Sequence, residues 1–341
     1  MYAAGIQLPI LIKERNMFQL MPVFLGLFDK TVQKLMNGFR DIFYELAYSN
    51  LSTMLSDLNE KVATISGELT TSPDAWQGGT IWSLIEKIAE QVALPVAGTV
   101  FTFVVLWELI SMLIQPNNLA DVDFVSVLMK WLIKTIVAAW FIANSLTLCN
   151  CFFGIGASMV SKTTTVLNTT TAENTSGSTL LQYLTDNYGD QDEDADSGDV
   201  SGLISLTVST WFIDIIIKFM GILITIILYS RMISIYLHCA VAPLPLATIT
   251  NHQLSNIGVG YLKNVFALAM QAVLMMICVA IYGVLVANVF DPTTIAIDAD
   301  NGVTAISLLT KACWSTVGIS ILLVYTMFKC EGITKQIFAI Q

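Results

Sequence analysis

The chain has 341 residues, of which 55% are hydrophobic and only 12% charged. Soluble globular chains carry roughly 25% charged residues, so this composition, with a mean hydropathy of +0.69, excludes an ordinary soluble domain and points to an all-α polytopic membrane protein. The net charge of −10 does not mark a basic partner, because much of it lies in one loop.

Residues 17–28 (MFQLMPVFLGLF) follow Lys13 and Arg15, but no small-residue cleavage site comes next, so no cleavable leader is expected. Apolar residues then recur at Phe28, Val32, Leu35, Phe39, Ile42 and Leu46, and again at Leu51, Met54, Leu58, Val62 and Ile65. Steps of three or four define one face of a helix. Asp29, Lys30, Lys34, Arg40, Asp41 and Glu45 fall on the other face, too many charges for a span. The pattern predicts an amphipathic helix on the membrane surface or against neighbouring subunits, within an outer region 1–79 closed by SPDAWQGG (72–79).

Five apolar segments follow, at about 92–114, 131–159, 207–230, 264–289 and 306–328. Each approaches or exceeds the ~20 residues that cross ~30 Å of hydrocarbon. Two spans therefore fall in 80–159 and three in 207–328, with a tail at 329–341. Between them, 160–206 is rich in Ser and Thr and holds eight acidic residues against Lys162. That composition reads as a solvated loop. No internal repeat of the kind common in transporters is visible.

The segment 232–262 breaks the pattern. Pro243 and Pro245 each remove a backbone donor and disfavour helix before them, and Asn251, His252, Gln253, Asn256, Gly258 and Gly260 follow. Non-helical backbone at membrane depth survives only inside protein or beside a wet cavity, so a re-entrant or interfacial segment on the cytoplasmic side is expected. Lys130, Lys134, Arg231, Lys263, Lys329 and Lys335 all fall on one side of the membrane if 232–250 does not cross, which predicts five spans, N-terminus out and C-terminus cytoplasmic. Trp211 and Trp314 at outer ends, and Trp107, Trp131, Tyr229 and Tyr325 at inner ends, fit aromatic belts.

Candidate chemistry is sparse. Asp214 and Lys218 lie four apart and share a helix face, either as an ion pair or as a functional intramembrane site. Lys311 lies in the outer part of the last span and Glu108 near an inner boundary. His238 and His252 are the only histidines, without a second ligand at metal spacing. Gly156-Ala157-Ser158 with His238 has a protease-like look, but Met159 follows and the two residues fall at opposite membrane faces, too far for a nucleophile and its base. The six cysteines, Cys149, Cys151, Cys239, Cys278, Cys313 and Cys330, have no CxxC spacing and read as small apolar filler. No cofactor, metal or enzymatic activity is expected.

The order of features resembles the TrbL-like polytopic inner-membrane subunits of type IV secretion and conjugal transfer machines: an amphipathic N-terminal region, a large loop between spans two and three, APLPLA after span three, then GVGYLKNVFALAMQ leading into a long helix. The resemblance is carried at about 240–271 by Pro243, Pro245, Gly258, Gly260, Tyr261, Lys263, Ala267 and Gln271. It implies a homo-oligomeric, multi-pass subunit at the base of a translocation channel. Implied partners are cytoplasmic ATPases, a bitopic assembly protein, membrane lipid and, in passing, the translocated DNA–protein substrate. The family's outer loop is associated with substrate passage, whereas the acidic loop of this chain would repel a phosphate backbone at short range. The rival expectation is a transporter or ion-conducting subunit using Asp214, Lys218 and the broken segment.

Overall fold

A computed structural model describes residues 8–114, 124–171, 181–182, 184–185, 197–289 and 305–338. The acidic stretch of the 160–206 loop and the 291–300 loop lie outside the described residues, as do residues 1–7. Among the described residues there is no strand, and the protein is an all-α polytopic membrane protein. Its helices are α1 (Leu8–Thr70), α2 (Thr80–Ile88), α3 (Leu94–Ile114), α4 (Phe124–Ala143), α5 (Ser145–Thr171), α6 (Ser197–Val241), α7 (Pro243–Leu246), α8 (Ser255–Val289) and α9 (Ala305–Ile337). A π turn at Ala89–Ala93 joins α2 to α3 without a break in helical backbone.

Four stretches are long and apolar enough to cross a membrane: Trp76–Ile114, Val200–Val241, Ser255–Val289 and Ile306–Ile337. A fifth exists only if a bent pair counts as one span. The sequence suggests one continuous span at 131–159, but the chain bends by 72° between Leu128–Ala143 and Ser145–Leu167. At the bend the Asn144 side-chain amide donates to the Trp140 carbonyl at 3.0 Å, the same carbonyl that takes the Asn144 backbone N–H. Such side chains offer the backbone an alternative to the helical ladder.

Contacts cluster into two units. The first takes α1 up to Ser56, α6 up to Ile216 and α9 up to Val317. Ala47, Leu51, Met54, Leu203, Leu206, Ile213, Leu309 and Cys313 are buried there. The Thr207 hydroxyl donates to the Phe43 carbonyl at 3.1 Å. The apolar face of α1 divides within this unit. Leu51 and Met54 are fully buried, whereas Val32, Leu35, Phe39, Ile42 and Leu46 remain exposed, Leu35 by 62%.

The second unit holds the rest of α1, all of α2–α5, α6 from Ile217, α7, α8 up to Asn288 and α9 from Gly318. Here α1 runs parallel to α6. Asp57 faces Lys218, Lys61 lies against Gly221, and the Pro73 carbonyl accepts from the Tyr236 hydroxyl at 2.8 Å. Leu58, Ile65 and Leu69 are buried on that side. The C-terminal half of the amphipathic face is thus covered by this chain itself rather than by a lipid surface. After α1 the backbone turns sharply through left-handed Gln77, Gly78 and Gly79. α8 and α9 pack antiparallel, shown by Phe266 on Phe338 (5.2 Å between rings), Cys278 Sγ 3.7 Å from Cys330 Sγ, and Tyr282 bonded to Ser320.

Candidate functional site

The broken segment is narrower than the sequence suggests. α6 continues through 232–241, and helix resumes at Ser255, so only 242–254 departs from long helix. Arg231 therefore does not mark the end of a span: it is 8% exposed inside α6, with Nη1 3.9 Å from Met232 Sδ.

Within 242–254 the one-turn α7 is followed by three-residue turns. Ala247 N–H donates to Pro243 O and Leu244 O, Thr248 to Pro245 O, and Ile249 to Leu246 O, all at 3.1–3.2 Å. Asn251, 1% exposed, closes the connector: its Oδ1 accepts from the N–H groups of Gln253 (2.8 Å) and Leu254 (3.1 Å), and its carbonyl accepts from Ser255. This is an Asx turn feeding the first turn of α8. Gly258 fits because a Cβ there would run into Ile249 Cγ1 and stand 2.8 Å from the Pro245 carbonyl. Gly260 has nothing within 4 Å of such a position, so the fold places no demand on it. Lys263 is exposed.

The first part of the connector is enclosed by protein. Ala242, Leu246 and Ala247 join a buried cluster with Trp76, Cys149, Phe153, Tyr236, Cys239 and Tyr261. The Tyr261 hydroxyl donates to the His238 carbonyl at 2.9 Å, tying the start of α8 to the end of α6. Cys149 Sγ lies 3.5 Å from that hydroxyl. At the far end of the connector the His252 N–H donates to Glu108 Oε2 at 3.2 Å, and Glu108 Oε1 lies 3.6 Å from Lys134 Nζ. Glu108 thus links α3, α4 and the connector. Its identity as an isolated carboxylate near an apolar segment was visible in the sequence; its partners were not.

Three helix irregularities meet at one cavity of about 100 Å³: the π turn (Ala89, Glu90), the bend (Asn144, Ser145) and the connector (Pro243), with Glu86 also on its wall. Irregular helix often marks a place of function. A second cavity, of about 90 Å³, brings His238 and Gln271 together with Glu331 and Lys335. Lys218 Nζ lies 4.0 Å from the Asp57 carboxylate of α1, a partner outside the sequence pairing with Asp214; Asp214 itself is half-buried. Ser158 is exposed and makes no bond to His238, whose Nδ1 is 2.8 Å from the Ser234 carbonyl. Gly156 instead serves packing: a Cβ there would stand 2.7 Å from the Ala269 carbonyl. Among the described residues, no group of three or more His, Cys, Asp or Glu is arranged to hold a metal ion.

Long apolar helices joined through a largely buried connector define a multi-pass membrane protein. The chain belongs to the TrbL/VirB6 plasmid conjugal transfer like protein family, which matches residues 58–243. That match takes in the cavity where the three irregularities meet, yet of the residues that carry the sequence resemblance it reaches only Pro243. No curated protein and no solved structure matches the chain. Family membership makes it a participant in a type IV secretion complex.

Proposed function

We propose that the protein is a structural subunit at the base of a conjugative translocation channel in the cytoplasmic membrane, helping a DNA–protein substrate to cross. The observation that carries this reading is the family match over 58–243, which runs from α1 to the start of the connector. The connector acts as a rigid corner between two long helices, offering His252 and Gln253 at its exposed rim to a cytoplasmic ATPase. In this reading the N-terminus is outside, the C-terminus is cytoplasmic, and a bitopic assembly protein contacts the outer region. The proposed working residues are Pro243, Pro245, Asn251 and Gly258 as the corner, with Glu108 as its anchor.

The exposed half of the α1 face supports self-association. A row from Val32 to Leu46 needs lipid or a neighbouring subunit to cover it. Deleting the gene from a conjugative element should abolish transfer, and complementation should restore it. Single-cysteine labelling tests the orientation: Asp194→Cys should react from outside and His252→Cys only from the cytoplasm. His252 is the probe at this rim because the neighbouring Asn251 is buried. Labelling of His252→Cys from outside would sink the corner reading. Phe39→Asp should leave insertion intact but reduce the oligomer recovered in mild detergent; an unchanged oligomer would remove α1 from the subunit contact.

A further inference from the structure

The cavity walled by α6, α8 and α9 is built for a ligand that the family does not explain. Its room, about 90 Å³, equals roughly three waters at ~30 Å³ each. Gln271 lines it, is only 6% exposed, and makes no hydrogen bond among the described residues. An amide facing a cavity takes its partners from whatever fills that cavity, water or a polar ligand. Asn264 lines the same cavity, again with no hydrogen bond among the described residues. The His238 ring gives its Nδ1 to the Ser234 carbonyl at 2.8 Å. A carbonyl can only accept, so the neutral ring carries its proton on Nδ1 and turns Nε2 to other partners. Lys335 Nζ and Glu331 Oε1 form a 2.7 Å pair that leaves donors on the ammonium and one carboxylate oxygen unused.

The depth of the cavity is fixed by its helices. His238 lies in the last turn of α6, and Lys335 in the last turn of α9. Residues 312–328 of α9 carry no charge, and Lys329, Glu331 and Lys335 then follow within seven residues. That change from apolar to charged marks the boundary between hydrocarbon and headgroups. Leu237, Ile333 and Ile337 beside the cavity are exposed, as acyl chains would require.

We propose that this cavity binds the headgroup of an aminophospholipid. The phosphodiester takes donors from Lys335, Gln271 and Asn264, and the primary ammonium takes the carboxylate of Glu331, with the neutral His238 Nε2 as a further acceptor for it. The charge pattern selects this class. A purely anionic phosphate leaves Glu331 opposed by like charge, and a quaternary ammonium has no N–H for it to accept.

The test uses the full-length protein in neutral detergent, with native mass spectrometry for bound lipid and thermal unfolding as the second readout. Phosphatidylethanolamine should be retained roughly tenfold better than phosphatidylcholine of the same chains, the factor expected of one charge-assisted hydrogen bond, and should raise the unfolding temperature more. Gln271→Leu should weaken retention of both lipids. Glu331→Gln, which removes the charge but keeps the size of the side chain, should erase the preference for phosphatidylethanolamine over phosphatidylcholine. Equal retention of phosphatidylethanolamine, phosphatidylcholine and phosphatidylglycerol would overturn the proposal, as would a preference that survives Glu331→Gln. Stabilisation by inorganic phosphate or free phosphoethanolamine equal to that by the lipid would make this a soluble-phosphate site. Displacement of the lipid by a single-stranded oligonucleotide would make it a nucleic-acid site, and either result defeats the lipid assignment.

Discussion

Two helix breaks lie side by side, at Pro243 and at Asn144, and they form one cavity wall. The first is made by covalent chemistry: proline has no N–H and its ring clashes with the preceding turn. The second contains no proline. Nothing in IANSLTLC forbids a helix, and the regular helix is interrupted at Asn144 alone, whose N–H still bonds Trp140 O. There the 72° turn is set by what surrounds it: Ile142, Cys149 and Phe153 enter the buried cluster with Ala242 and Leu246 on either side of the bend. A break that removes a donor is local and travels with the residue. A break that merely redirects the chain is a property of packing.

The sharpest way to break that comparison is to restore the donors at the first site. Pro243→Ala with Pro245→Ala should let α6 run on through 247, since each proline costs a helix interior ~3 kcal/mol. The expected outcome is loss of transfer at normal expression, with Asp298→Cys becoming labelled from the cytoplasm. Transfer at the parental rate with unchanged labelling would show that the fold holds this corner without its prolines, making the two breaks alike.

Gly258→Ala probes how tightly the corner is closed. The new Cβ meets Ile249 and the Pro245 carbonyl, so overpacking should cost about 1–3 kcal/mol, read as a lower unfolding temperature in detergent. Gly260→Ala is the control in the same helix: with open space around it, it should be neutral or gain about 0.5–1 kcal/mol. Equal effects at the two positions would mean that α8 does not press on the connector.

At the second break, Asn144→Ala removes the bond to Trp140 and should cost about 0.5–1.5 kcal/mol. The bend itself should persist. Spin labels at Val137 and Val166, both exposed, should keep their separation, whereas a marked increase would assign the bend to Asn144 and return it to local chemistry.

The smallest effect belongs to the turn after α1. The Ser72 hydroxyl first, then the Asn150 amide and local backbone N–H groups, hold the Asp74 carboxyl below its usual range, against partial burial. Its folded pKa lies below the unfolded one, so its contribution is present above ~3.9 and disappears as pH falls through the folded value. Asp74→Asn should lower the unfolding temperature slightly at pH 7 and not at all at the acid end. A difference independent of pH would remove the carboxylate from this turn.

What the sequence determined by itself is whatever a single residue or a single period imposes. Apolar length required the spans, because each peptide group in hydrocarbon needs a partner within its own helix. The prolines required a break near 243, and steps of three and four required an apolar face on α1. Tertiary structure decided the rest. It buried Leu51 and Met54 and left Leu35 and Phe39 bare, though both pairs belong to the same periodic row. It gave Lys218 the distant carboxylate of Asp57, drew His238 and Gln271 into one cavity with Glu331, and bent the chain at Asn144. These outcomes depend on which surfaces meet, and contacts between residues dozens of positions apart or more leave no period in the chain.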